Sequence, residues 1–257
     1  MISSNQVKFI KSLEHKKYRK IHQSFVVEGE KMILELLNSP FEVTQIFATK
    51  PFLNHYSDNL TKGTNLVEVT EQELKKISTQ QTPNQVLAIA KLPQEGPLNL
   101  SDGNLFLALD NVQDPGNLGT IIRTAAWFGI RRLFCSPDTV DAFNPKVIQS
   151  TMGSIFRVHL HYSELIPILE QAHRAGFTTL GTLLTGTDMY EHPLPPKAII
   201  VMGNESKGIS PDIQRILDQK IKVPSFPENA QEVESLNVAV ATALVCAEFR
   251  RQNVKLP

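Results

Sequence analysis

Cysteine is nearly absent from this chain: Cys135 and Cys246 are the only two among 257 residues, far apart and in no metal-ligand spacing. That argues against a disulfide scaffold and a structural zinc site, and for a reduced compartment in which both are small core residues. Long apolar runs are missing too. Nothing approaches the roughly 20 residues that cross a bilayer, and the opening MISSNQVKFIKSLEHKKYRK lacks the apolar stretch of a secretion signal. The expected location is the cytoplasm, with no membrane partner. A charge excess is the third absence. With 26 basic and 26 acidic residues, the chain is unlike proteins that coat nucleic acid indiscriminately. No G-x-G-x-x-G is present either, which leaves a dinucleotide site poorly supported.

What charge there is has been distributed unevenly. Residues 1–23 hold Lys8, Lys11, Lys16, Lys17, Arg19 and Lys20 against Glu14 alone. A solvated amphipathic helix accounts for such a cluster unless something else in the chain points to a polyanion.

The first ninety residues alternate helical and strand-like runs: a basic helix, FVVEG, EKMILELLNS, VTQIFAT, LVEVT, EQELKKIS and VLAIAKL. Thr70 and Glu73 make a capping box ahead of EQELKKI. This is the pattern of a small α/β domain over residues 1–92. Residues 93–104, PQEGPLNLSDGN, carry prolines, glycines and polar residues without apolar periodicity and read as a linker. From 105 to 257, buried strands such as LFLALD, RRLFCS, TTLGTLL, AIIVMG and KIKVP alternate with helices, the last expected from Ser235. Strands apolar throughout and separated by helices predict a mainly parallel sheet covered on both faces. Ligands then bind beyond the carboxyl ends of the strands, in the loops after Asp110, Leu184, Met202 and Val223.

Three of those loops carry polar residues that need a role. In DNVQDPGNLGTIIRTAAWFG the chain turns through Pro115 and Gly116 and opens a helix with Asn117 near its cap, where free N–H groups suit an anion. Arg123 follows within that helix; a structural ion pair with Asp110 or Asp114 and a phosphate or substrate contact are both open. In VMGNESKGIS, Gly203 and Gly208 have P-loop spacing, but Ile209 stands where the lysine belongs, which argues against a nucleoside triphosphatase. Glu205 sits just past a buried strand. In VPSFPENAQEVESLNVAVATA, Ser235 can cap a helix in which Ala239, Ala243 and Ala247 form one narrow face, suited to close packing within the chain or between two copies.

Taken together, DPGNLGTIIRTA, IIVMGNESKGIS and VPSFPENAQEVESLNVAVATA, at the ends of three strands and in that order, resemble the motifs of the SpoU/TrmH family of RNA 2'-O-ribose methyltransferases, of the SPOUT class. The resemblance covers about residues 104–252, and FVVEGEKMILELL resembles the family's small RNA-binding domain, which is related to ribosomal proteins. It implies an S-adenosylmethionine-dependent enzyme with a deep trefoil knot, homodimeric through its C-terminal domain. The substrate implied is RNA, rRNA more than tRNA. Asn117, Arg123, Glu205, Ser235 and Asn237 match the family's catalytic positions. Gly203, Val223 and Leu236 match backbone cofactor contacts, with Thr182 lining the same pocket, and no metal is implied. The basic cluster of Lys16, Lys17, Arg19 and Lys20 becomes the expected RNA contact. The 224–235 loop is longer than the family pattern, with Phe226, Pro227, Glu228, Glu232 and Glu234 in it. A catalytically inactive RNA-binding protein and a base methyltransferase of the same fold are the competing readings.

Overall fold

The computed structural model describes residues 2–56, 65–94, 96, 98–226 and 235–253; Pro227, Glu228, Glu232 and Glu234 lie outside them. The chain forms two compact units, one made of residues 1–95 and Asp141–Arg157, the other of Gly96–Val140 and residues 158–257.

The first unit runs α1 (Ser4–Ser12), α2 (Lys16–His22), β1 (Ser24–Glu28), α3 (Glu30–Leu37), β2 (Val43–Ala48), α4 (Lys50–Tyr56), β3 (Asn65–Glu68), α5 (Glu71–Ile77) and β4 (Val86–Lys91). Its strands lie in the order β1-β4-β2-β3, with β2 and β3 parallel and the other pairs antiparallel. The single basic helix expected at the N-terminus is two helices. Leu13 is fully buried at the break, and Gln23 closes α2 in a left-handed conformation at φ 48°. The Thr70–Glu73 capping box opens α5 as expected.

Asp141–Arg157, which contains α7 (Pro145–Thr151), packs with these elements. The sequence pattern placed it in one continuous segment from 105 onward. Long-range side chains decide otherwise. Arg19 bonds Asp141, Arg157 pairs with Glu35, and Phe143 and Phe156 meet Phe25 and Phe41.

The second unit contains β5 (Leu105–Leu109), α6 (Pro115–Trp127), β6 (Arg132–Cys135), β7 (His159–Tyr162), α8 (Leu165–Arg174), β8 (Thr178–Asp188), β9 (Ala198–Met202), α9 (Pro211–Ile216), β10 (Gln219–Lys222) and α10 (Val238–Asn253). Strand order is β10-β8-β9-β5-β6-β7, and every described pair is parallel. All five residues of β5 and of β9 are buried. Phe106, Ala108, Ile199 and Val201 pack into a core with Leu165, Ile168 and Leu169 of α8 and Ile213 of α9. Successive residues of these strands alternate between the sheet's two faces. The sequence therefore shows runs of apolar residues in place of alternation. Cys135 and Cys246 are buried core residues, and burial pushes the Cys246 thiol up to about 12.

Candidate active site

The chain builds outward from β5 through β6 to β7, then returns to place β9 on the other side of β5. That reversal makes the carboxyl ends of β5 and β9 a switch point of the sheet, the place where ligands of parallel sheets bind. The two strand ends are tied, since Asp110 N–H donates to the Met202 carbonyl at 2.8 Å. The Asp110 carboxylate accepts from Ser210 N–H at 2.6 Å and fixes the entry to α9.

Asn111 and Asn204 join the two loops, and the sequence reading singled out neither. Asn111 adopts a left-handed φ of 59° and donates its N–H to the Ser136 hydroxyl at 2.8 Å. Asn204 donates its side-chain amide to the Asn111 carbonyl at 2.7 Å and accepts from Ser206 and Lys207 N–H at 2.9 and 3.0 Å. An asparagine accepting from amides two and three residues onward is local turn chemistry, and that is the signal the sequence offered. Gly203 is required by close approach. A Cβ there would overlap the backbone of Gly208 and Ile209, because Asn204 and Gly208 pair across the loop.

With the loop so held, Glu205 meets Asn117. Asp114 caps α6 by accepting from Asn117 N–H at 2.7 Å, with Pro115 at the first helical position. The cap is thus Asp114, three residues ahead of Asn117, whose side chain is left for the site. Asn117 Nδ2 donates to Glu205 Oε1 at 2.9 Å, and Asn117 Oδ1 accepts from Asn237 Nδ2 at 2.9 Å. Asn237 Oδ1 accepts from Ala239 and Val240 N–H at 2.9 and 3.3 Å. Those backbone donors fix which end of the Asn237 amide faces Asn117, and Asn117 then has only its NH₂ to offer Glu205.

Helix α10 therefore begins at Val238 with Asn237 as its cap, not at Ser235. Ser235 is exposed. Arg123 is exposed as well, and no described residue bonds its guanidinium. The ion pairs with Asp110 or Asp114 do not form; those carboxylates accept instead from Ser210 and Asn117 N–H. Arg123 lies six residues beyond Asn117 on α6, about 9 Å along the axis. The structure thus brings Asn117, Glu205 and Asn237 together and leaves Arg123 and Ser235 open to solvent.

Among the residues expected at the cofactor, Thr182 donates its hydroxyl to the Val201 carbonyl at 3.0 Å, against the end of β9. Strand β8 parts from β10 after Gly181 and rejoins it at Thr187, which extends it beyond the expected end at Leu184. Val223 is half-buried just past β10, while Leu236 is 47% exposed and Phe226 88%. Exposed apolar side chains just past β10 and just ahead of α10 suit a purine nucleoside moiety, so the residues present fit S-adenosylmethionine.

In the other unit, Lys16, Lys17 and Lys20 are exposed on α2. Arg19 is not. It is 2% exposed, bonds Asp141, and donates to the Leu13 and Glu14 carbonyls at 2.8 Å each. Its expected place among the RNA contacts is corrected to a structural one.

Residues 104–247 match the SpoU rRNA Methylase family, and residues 4–88 match the MRM3-like substrate binding domain. The chain belongs to the SpoU rRNA methylase family. Over 96% of both chains it is 32% identical to the 23S rRNA (guanosine(2553)-2'-O)-methyltransferase RlmP of Bacillus subtilis. A TrmH-family structure from Porphyromonas gingivalis superposes with a TM-score of 0.88 at 40% identity, covering 98% of this chain and 99% of that one. An AdoMet-bound rRNA methyltransferase from Sinorhizobium meliloti superposes at 0.85 and 28% identity, covering 99% and 98%. As a SpoU family member, the protein carries its Asn117–Glu205–Asn237 chain inside the matched segment.

Proposed function

We propose that this SpoU family protein methylates the 2'-hydroxyl of a ribose in RNA, with rRNA the favoured substrate and S-adenosylmethionine the donor. The observation that carries the reading is the Asn237–Asn117–Glu205 hydrogen-bond chain past the carboxyl ends of β5 and β9. S-adenosylmethionine supplies an electrophilic sulfonium methyl group. Gly203, Val223 and Leu236 would hold it by backbone, with Thr182 beside them.

A ribose hydroxyl is a weak acid, and as its oxygen bonds the methyl carbon and the sulfur–methyl bond breaks, its proton passes to a substrate phosphate or to water. Arg123 is a poor base, since a guanidinium stays protonated in proteins. Its open position and planar fork suit it to holding a phosphate and stabilising negative charge on the attacking oxygen. Glu205 keeps its second oxygen without a partner among the described residues and can accept a hydrogen bond from the ribose. Asn117 and Asn237 hold that carboxylate still. Ser235, exposed just ahead of the cap, is assigned to substrate contact.

Finer properties belong to the same proposal: residues 1–92, together with Asp141–Arg157 of the same unit, as the RNA-binding part, 93–104 as a linker and the remainder of 105–257 as the catalytic part, with action in the cytoplasm. Among the described residues no helix is long and apolar enough to cross a membrane. A trefoil-knotted path is part of the same proposal and rests on the family resemblance alone. Homodimerisation is supported by exposed Trp127 on α6 and by exposed Val240, Leu244 and Ala247 on α10. The alanine face does not survive intact as the seam. Ala239 is buried within its own chain.

The test is methyl transfer from labelled S-adenosylmethionine to rRNA and tRNA, followed by mass mapping of the product nucleoside. A 2'-O-methylated ribose in rRNA is expected. Label on a base, or no transfer despite cofactor binding, would defeat the reading.

A further inference from the structure

Asn204 precedes Glu205 in the chain and makes no hydrogen bond to any residue assigned to the reaction, yet its polar groups are almost all engaged. Its backbone pairs with Gly208 in both directions, at 3.0 and 2.9 Å. Its Oδ1 accepts from Ser206 and Lys207 N–H, and its Nδ2 donates to the Asn111 carbonyl at 2.7 Å. All of these bonds but the last close the turn upon itself. The last leaves the turn and reaches the loop after β5.

The carbonyl it reaches is held from behind. Asn111 donates its N–H at 2.8 Å to Ser136 Oγ, just past the end of β6. The Thr139 hydroxyl donates to the Leu109 carbonyl at 3.1 Å, so across the 3.1 Å between Ser136 Oγ and Thr139 Oγ1 it is Ser136 that donates. Ser136 N–H donates to the same Leu109 carbonyl at 3.0 Å. Ser136 and Thr139 are buried, at 9% and 2% exposure, where water does not replace a lost partner. Asn111 is thereby kept at its left-handed φ of 59° by bonds on both of its peptide groups. Its own Oδ1 is buried and meets no partner among the described residues. What this position supplies to the site is a carbonyl in a fixed place.

We infer that Asn204 is a positioning residue for methyl transfer, the last member of a brace that runs from Thr139 and Ser136 through Asn111 and sets where Glu205 meets Asn117. The inference rests on the methyltransferase reading. An amide is what the position demands, because one end accepts from two N–H groups while the other donates to a carbonyl. A carboxylate would keep the turn but set an oxygen against the Asn111 carbonyl. The turn would then lose its tie to the β5 loop, and Glu205 would move with it.

Steady-state methyl transfer to rRNA is measured for wild type, Asn204→Asp, Asn204→Ala and Ser136→Ala, each checked for fold by circular dichroism. Asn204→Asp should lower kcat on the order of ten- to a hundredfold, the cost of a slightly misplaced reacting geometry, with KM for RNA and for S-adenosylmethionine unchanged. The introduced carboxyl regains a donor when protonated. The kcat of Asn204→Asp relative to wild type should therefore rise as pH is lowered from about 8 toward the ordinary aspartate pKa of about 3.9, while that of Asn204→Ala stays flat. A loss that came only from weakened folding would not follow the charge on one oxygen. Ser136→Ala should also lower kcat, and its effect should shrink in the Asn204→Asp background, since members of one hydrogen-bonded chain are not additive.

Wild-type kcat in a folded Asn204→Asp, a relative kcat indifferent to pH, or full additivity of the two changes overturns the brace. Where Asn204→Asp does not fold, Ser136→Ala decides: a lowered kcat at unchanged KM supports the brace and a wild-type kcat overturns it. A wild type that binds S-adenosylmethionine by calorimetry and transfers no methyl group removes the enzyme reading itself, whereas an active wild type with an equally active Asn204→Asp removes only the brace.

Discussion

Asn237 donates its side-chain N–H to Asn117 Oδ1 at 2.9 Å while its own Oδ1 accepts from the first amides of α10. One residue thus caps a sixteen-residue helix and orients a polar chain that ends on Glu205. Stability and site geometry are coupled through that amide.

Variants at Asn237 separate the two roles. Asn237→Ala should lose the cap, at about 1 kcal/mol, together with methyl transfer. Asn237→Asp keeps a good capping oxygen but has no donor for Asn117, which must then turn its NH₂ away from Glu205. Stability within about 0.5 kcal/mol of wild type and a lowered kcat are expected. Denaturant titration and single-turnover assays check both, and a fully active Asn237→Asp would refute the orienting role.

Arg123 makes no bond to any described residue, so its removal should cost no stability. Arg123→Ala should abolish transfer with S-adenosylmethionine affinity, read by calorimetry, unchanged. Arg123→Lys should also fail, because a point charge lacks the guanidinium's planar fork. Wild-type turnover by the lysine variant would show that charge alone suffices.

What could be read ahead of the structure followed from periodicity and local chemistry. The apolar runs of β5 and β9 announced a buried parallel sheet, and Thr70–Glu73 announced the start of α5. Cap identity was less legible where two candidates stood close. Ser235 and Asn237 both suit the role, and only the second reaches the Ala239 and Val240 amides. Arg19 misled because its sequence neighbours are exposed lysines, whereas its partner Asp141 lies 122 residues away. The same long-range pairing hid the membership of Asp141–Arg157 in the first unit. Asn204 was overlooked since its contact is a backbone carbonyl on another loop.

The Arg19 correction has its own consequence. Arg19→Ala would leave Asp141 without its buried partner, a loss of about 3–5 kcal/mol, seen as a lowered denaturation midpoint. Where that variant fails to fold, Arg19→Lys should fold with reduced stability and bind RNA with an unchanged salt slope. A shallower slope for Arg19→Lys would return Arg19 to the phosphate contacts.

Gly203 admits no side chain, because its Cβ would overlap the Gly208 and Ile209 backbone. Gly203→Ala should open the turn that holds Glu205 and displace the strand-end backbone assigned to the cofactor. S-adenosylmethionine affinity and activity should both fall, while Gly96→Ala, where a Cβ meets nothing within 4 Å, should change neither. Normal cofactor binding by Gly203→Ala would detach this loop from the cofactor site.

Pairing of two copies is the remaining claim with a direct test. Helices α6 and α10 pack beside each other, and each exposes large apolar side chains: Trp127 at 84%, Val240 at 47% and Leu244 at 36%. Val240, Leu244 and Ala247 recur at i, i+4 and i+7, so they share one face of α10. A two-fold contact through this face would be self-complementary and would start one turn from Asn237 at the site. Leu244→Arg replaces a surface residue, so the chain should stay folded by circular dichroism. Its sedimentation should shift to monomer at micromolar concentration, and activity should fall as the enzyme is diluted. A wild type that sediments as monomer under those conditions, or a Leu244→Arg that remains dimeric, would remove this face as the seam.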